Sequence, residues 1–234
     1  MKNTFLTTAL VFALIVPLLS GEGVKPGAAV STVKLPLDST AGIEAANGQV
    51  KVVSYRGRRA VQLVPLAGKE ASDDSMMGIL TGTDFKNGVI ELEVAGAPRK
   101  DAAPNMRGFI GVAFRINSSK FEMLYLRPSN ARVDDQLQRN HTVQYVCEPD
   151  FGWQRLRKEN PGVYESYADM EPGAWTKMKI VVSGTKARLY VNGAQEPCLV
   201  VNDLKLGEGH GQIALWAHST TEGYFSNLTV RPEP

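Results

Sequence analysis

The sequence predicts an all-β domain, a two-sheet antiparallel jelly-roll β-sandwich, on three observations. Apolar residues after position 30 recur at every second position, and Gly- or Pro-centred turns separate the runs. No window of a dozen residues beyond the leader carries a helical apolar stripe. The runs number roughly twelve, more than an immunoglobulin-type sandwich uses, which favours the larger jelly roll.

The elements follow in order. Gln49–Tyr55 and Arg59–Val64 read as a hairpin about Arg56-Gly57-Arg58. In Val89–Val94, Ile90, Leu92 and Val94 share one face and Glu91 and Glu93 the other, as solvated outward carboxylates. Phe109–Ile116 puts Ile110, Val112, Phe114 and Ile116 on the core side. Met123–Arg127 does the same with Leu124 and Leu126. Further strands are expected at Thr142–Cys147, Val163–Met170, Thr176–Val182, Lys186–Asn192, Gln212–Ala217 and Tyr224–Val230. The stretches Ala97–Arg107 and Pro149–Gly162 read as long surface loops, a common location for function.

Composition narrows the class. With 234 residues, 43% hydrophobic, 21% charged and a net charge of +2, the chain is neither disordered nor basic enough to suggest a nucleic-acid partner. Lys2, the apolar run Phe5–Leu19 and the small residues Ser20, Gly21 and Gly23 read as a signal peptide over 1–22. The sandwich domain then spans 30–234, secreted or periplasmic, with no membrane partner once the leader is removed. Cys147 and Cys198 stand either as one disulfide or as two independent apolar residues. Asn117-Ser-Ser, Asn140-His-Thr and Asn227-Leu-Thr match the glycosylation sequon, relevant only in a eukaryotic host.

Three motifs carry a resemblance: Phe85-x-Asn-Gly-x-Ile-Glu91, Trp175-Thr-Lys-Met-Lys-Ile180 with Ala187-Arg-Leu-Tyr-Val-Asn-Gly193, and the closing Ile213-Ala-Leu-Trp216 … Gly223-Tyr-Phe-Ser-Asn-Leu228. From about Val33 to Arg231 the chain resembles the concanavalin A-like lectin/glucanase superfamily. Laminin-G-like domains and the 3-keto-disaccharide hydrolase family are the forms it is most similar to. The resemblance implies a concanavalin A-like sandwich that engages carbohydrate on its concave sheet face. These motifs sit in strands and turns, so they specify fold better than function. The Glu-x-Asp-x-x-Glu strand motif of laminarinase-type glucanases is missing.

The candidate site residues concentrate between Tyr125 and Arg157. Arg115, Tyr125, Arg127 and Gln144 fall on one strand face by alternation, and Arg139, Trp153, Arg157 and Tyr167 complete a set of planar donors and stacking rings suited to a polyhydroxylated or anionic ligand. The competing reading is a surface network, with Arg127–Asp134 and Arg139–Asp135 pairs tying loops to the sheet. Glu165, Tyr167 and Asp169 share a face if Val163–Met170 is one strand. Glu122, Glu165 and Asp169 are the candidate acids or bases, with His141 as a helper. No metal site and no cofactor are implied. Calcium stays open through Asp73-Asp74 and Asp134-Asp135, which have no recognised loop spacing. Three functions stand: an exported carbohydrate-binding protein, a glycoside hydrolase-type enzyme acting on a glycoside or 3-keto-disaccharide, and a non-catalytic laminin-G-like interaction module.

Overall fold

The computed structural model describes residues 32–70, 72 and 75–233, together with Met1. Apart from Met1, the expected signal peptide lies outside the described residues, as do Asp73 and Asp74. Strands are numbered along the chain. The larger sheet runs β13 (Leu199–Val201), β12 (Lys186–Val191), β11 (Thr176–Ser183), β6 (Asn87–Pro98), β15 (Thr221–Glu233), β4 (Arg58–Val64), β3 (Gln49–Tyr55), with β1 (Val33–Leu35) also on β15. The second sheet runs β10 (Glu165–Ser166), β9 (Val143–Glu148), β8 (Lys120–Leu126), β7 (Ile110–Asn117), β14 (Gln212–His218), β5 (Ser75–Leu80), β2 (Ile43–Ala46). All pairings are antiparallel, and the two sheets stack as a jelly-roll sandwich.

Alternation builds the core. Ile90, Leu92 and Val94 from β6 meet Ile110, Val112, Phe114, Leu124 and Leu126 from β7 and β8, and each is 3% exposed or less. Removing water from a side chain of this size contributes about 1.5–3 kcal/mol. The Glu91 and Glu93 carboxylates face outward, as their strand parity requires, and pair with Arg231 and with Arg58 and Asn227.

Several elements differ from expectation. Strands β1, β2 and β13 are three or four residues long, too short for a period-two signal. The β5 sequence Ser-Met-Met-Gly-Ile-Leu has neither β-branched enrichment nor polar alternation. The Val163–Met170 strand shrinks to β10, so Glu165, Tyr167 and Asp169 do not share one strand face. The expected loop Pro149–Gly162 contains a short helix, α2 (Trp153–Glu159), and the connection between β8 and β9 contains another, α1 (Gln136–Arg139). Asp135 caps α1, its Oδ1 accepting from Gln138 N at 2.9 Å.

Two site candidates are engaged in buried contacts within the protein. Arg115 sits at a bulge between Phe114 and Asn117 with φ +54°, so the simple alternation that would place it beside Tyr125 breaks there. Its 1% exposed side chain donates to Lys86 O, Gly184 O and Gly207 O, tying turns of the larger sheet and the 202–209 loop to β7. Glu122 has the parity of Leu124 and Leu126 and points between the sheets. There it accepts from Tyr145 Oη and from Leu206 N at 2.8 Å. Burial raises its carboxyl above the usual range. Cys147 and Cys198 are free thiols, which burial pushes up to about 12 and about 11.

Candidate functional site

One register row crosses the second sheet. Met77 on β5 pairs with Trp216 on β14, then Gly111 on β7, Tyr125 on β8, Gln144 on β9 and Glu165 on β10. These positions face away from the core, because Tyr125 has opposite parity to Leu124 and Leu126. Gly111 is required there: a Cβ would lie 2.3 Å from Leu124 O and 2.6 Å from Tyr125 Cα. Without a side chain between them, the Trp216 and Tyr125 rings approach to 5.2 Å. Phe109, 6.3 Å from Tyr125 and 5.4 Å from His218, extends the aromatic floor.

Loops 99–107 and 127–142 and helix α2 wall this floor into a cleft of about 660 Å³, within the range of small-molecule sites. Arg127 anchors one end. Its Nη2 donates to Tyr125 Oη (2.7 Å) and Gln144 Oε1 (2.9 Å), and its Nη1 to His141 O (3.0 Å) and Glu165 Oε1 (3.3 Å). The guanidinium lies 4.9 Å over the Tyr125 ring. Arg157 grips the same Glu165, with Nε to Oε2 at 2.9 Å and Nη2 to Oε1. His141 Nε2 stands 3.5 Å from Glu165 Oε2.

The electrostatics follow from this packing. Two guanidinium groups share one buried carboxylate, so the cluster retains surplus positive charge. Arg157 spends Nε and Nη2 on Glu165 and leaves Nη1 uncommitted among the described residues. Burial pushes the Tyr125 phenol up to about 12. The ring therefore keeps its proton while its oxygen accepts from Arg127, and that proton remains available to a ligand. Burial outweighs the pull of Glu165 and lowers the His141 imidazole below its ordinary value.

Glu148 also lines the cleft and was not among the sequence candidates. It has no hydrogen bond or ion pair among the described residues, and burial alone raises its carboxyl above the ordinary value. A half-buried carboxylate without a partner is a candidate general base. Its position was legible in principle, because Gln144, Val146 and Glu148 alternate onto the outer face of β9. Phe109 and Trp216, likewise unforeseen, lie where the alternation of β7 and β14 meets that face.

Of the sequence candidates, Tyr125, Arg127, His141, Trp153 and Arg157 line the cleft, with Gln144 and Glu165 buried behind them. Asp169 instead pairs with Arg132 on the exposed surface at 3.0 Å. Arg139 lies over Tyr167 and donates to its hydroxyl at 3.0 Å, and neither residue lines the cleft. Arg127 meets Glu165 rather than Asp134. Among the described residues no group of three or more His, Cys, Asp or Glu is placed to hold a metal ion. No helix among them is long and apolar enough to cross a membrane.

A jelly-roll sandwich with an aromatic-floored, arginine-walled cleft on one sheet defines the class. Residues 39–231 match the family model of the 3-keto-alpha-glucoside-1,2-lyase-like domain, and the chain belongs to that family. No curated protein matches it. Similar solved structures include the carbohydrate-binding module CBM66 from Bacillus subtilis (TM-score 0.52, 13% identity, 81% of this chain and 96% of that one). A Bacillus subtilis protein of unknown function with a galectin-like fold gives 0.56 at 12% identity, over 85% and 94%. A Crh5 transglycosylase in complex with NAG gives 0.56 at 11%, over 88% and 86%. At these identities the likeness is one of fold.

Proposed function

We propose that the chain is an exported enzyme that cleaves a glucoside carrying a ketone at C3, by elimination across C1 and C2. The observation that carries this reading is Glu148, an unpaired carboxylate with a raised pKa, in the same cleft as Arg157 and Tyr125. The family name supports the substrate class. A ketone at C3 acidifies the C2 hydrogen. Glu148 takes that proton, and the electron pair forms the C1=C2 bond through an enolate. The C1–O bond breaks, and the departing oxygen takes up a proton from water or from the protonated Glu148. The products are an unsaturated keto sugar and the free alcohol. Arg157 Nη1 and the Tyr125 hydroxyl supply positive potential and a hydrogen bond to the enolate oxygen.

Direct hydrolysis of an ordinary glycoside uses two carboxyl groups. Among the described residues Glu148 is the cleft carboxylate with neither oxygen engaged: two arginines hold Glu165, and Asp135 commits one oxygen to the α1 cap. Elimination needs a single base. The second reading is retention of a sugar without turnover, for which the aromatic floor and the arginine wall suffice. Glu148→Gln separates the two: elimination predicts a fall in kcat of about 10²–10⁴-fold. It also predicts loss of the acidic limb of the pH profile. The raised Glu148 carboxyl must be ionised to act, so kcat/KM falls as pH drops through a midpoint above the usual 4.5. Wild-type protein that binds keto-glucosides with no product formed leaves retention alone.

A further inference from the structure

We infer that the cleft contains a carboxylate subsite at Arg107, so that the group leaving the sugar is acidic. This deepens the reading above and rests on it. Arg107, Arg127 and Arg157 all line the cleft, and the latter two share the Glu165 carboxylate. Arg107 is half-buried and meets no carboxylate among the described residues. Its Nη1 alone is engaged, donating to Pro104 O at 3.0 Å and Met106 O at 3.3 Å. A cation withdrawn from water calls for a counter-charge, and a ligand can bring it.

The donors that stay open have a defined chemistry. Arg99, Arg132 and Arg157 each turn Nε and Nη2 onto one carboxylate, that of Asp101, Asp169 or Glu165. Arg107 has the same pair of donors, with neither committed among the described residues. The fork is also held in advance. Ser129 N donates to Arg107 O at 3.2 Å, and Gly108, at φ +71°, lies so close to β6 that a Cβ would stand 2.8 Å from Ala97 Cα. The two carbonyls on Nη1 fix the guanidinium itself, so little freedom is lost when a planar anion docks. Strand register sets this end of the cleft apart from the proposed base. β8 pairs Leu126 with Ile110, next to the Arg107 loop, and Phe121 with Glu148. Those two positions on β8 are separated by about 17 Å of extended chain. The sugar carbon that yields its proton lies at Glu148, so a carboxylate at Arg107 belongs to the far part of the ligand, the leaving group.

The test is calorimetric titration of the full chain with two matched pairs of glycosides, which lack the C3 ketone and are bound without turnover. α-Glucosyl gluconate and α-glucosyl sorbitol differ in one carboxylate on the leaving group. Methyl α-glucuronide and methyl α-glucoside differ in one carboxylate on the sugar. The expected result is the gluconate bound about 10-fold more tightly than the sorbitol compound, with the second pair within about 2-fold of each other. In Arg107→Gln, with its melting temperature measured alongside, the first ratio falls to within about 2-fold of unity. Should that variant fail to fold, the wild-type comparison still decides. A gluconate bound no more tightly than its neutral counterpart, or a preference that survives Arg107→Gln, overturns the subsite and leaves the sugar cleft standing. A glucuronide favoured as strongly as the gluconate puts the carboxylate on the sugar and overturns the acidic leaving group. If none of the four binds, the sugar-cleft reading fails and the subsite falls with it.

Discussion

Glu122 and Glu148 lie on neighbouring strands of one sheet, and burial raises both, yet they do opposite work. Glu122 is held by Tyr145 and the Leu206 amide between the sheets, whereas Glu148 faces the cleft without a partner. Glu122→Ala strands a buried hydroxyl and a buried amide, at a cost of about 2–3 kcal/mol. The expected outcome is a lower denaturant midpoint with unchanged ligand affinity, read by chemical unfolding beside calorimetry. A loss of ligand affinity without loss of stability would return Glu122 to the site. Arg127 has a mixed role. Arg157 still neutralises Glu165 in Arg127→Ala, but the buried Gln144 Oε1, the His141 carbonyl and the Tyr125 hydroxyl lose their shared donor, at about 1–3 kcal/mol for each group left unsatisfied. That variant should be poorly folded, and reduced retention in it would say little about binding. Arg157→Lys is the cleaner probe: it keeps the charge and loses the two-pronged grip on Glu165. The account predicts a lower kcat with a nearly unchanged unfolding midpoint.

At the scale of elements, the long strands were legible because their alternation spans five or more residues, as in Val89–Val94 and Phe109–Ile116. The site was legible only where that alternation was unbroken. Tyr125, Arg127 and Gln144 fell on the outer face as expected, while Arg115 left it at the bulge whose φ of +54° nothing in the sequence announces. Glu148 was missed because the expected strand ended at Cys147, one residue early. The helices α1 and α2 escaped notice because four and seven residues cannot display a full helical stripe. The row Trp216–Gly111–Tyr125 depends on pairing three separate strands, which period-two patterning alone does not register. It yields its own prediction. Gly111→Ala drives a methyl group into the β8 backbone, and the rings part or the strands shift. Near-ultraviolet circular dichroism should lose intensity, and ligand affinity should fall at least as far as stability does.

For the whole molecule, the sandwich divides its labour between two faces. The inner faces carry the aliphatic core, and the Arg115 clamp holds the sheet ends together. The outer face of the smaller sheet carries the cleft, with loops 99–107 and 127–142 and helix α2 as walls. The proposed chemistry therefore rests on the strands, with the loops and α2 as its walls. The most direct measurement is product analysis of a 3-keto-α-glucoside deuterated at C2, incubated with the full chain. The account predicts release of the alcohol together with an unsaturated keto sugar that has lost the deuterium, slowed by a primary isotope effect and abolished in Glu148→Gln. Alcohol released with the deuterium retained at C2, or substrate bound and recovered intact, would contradict it.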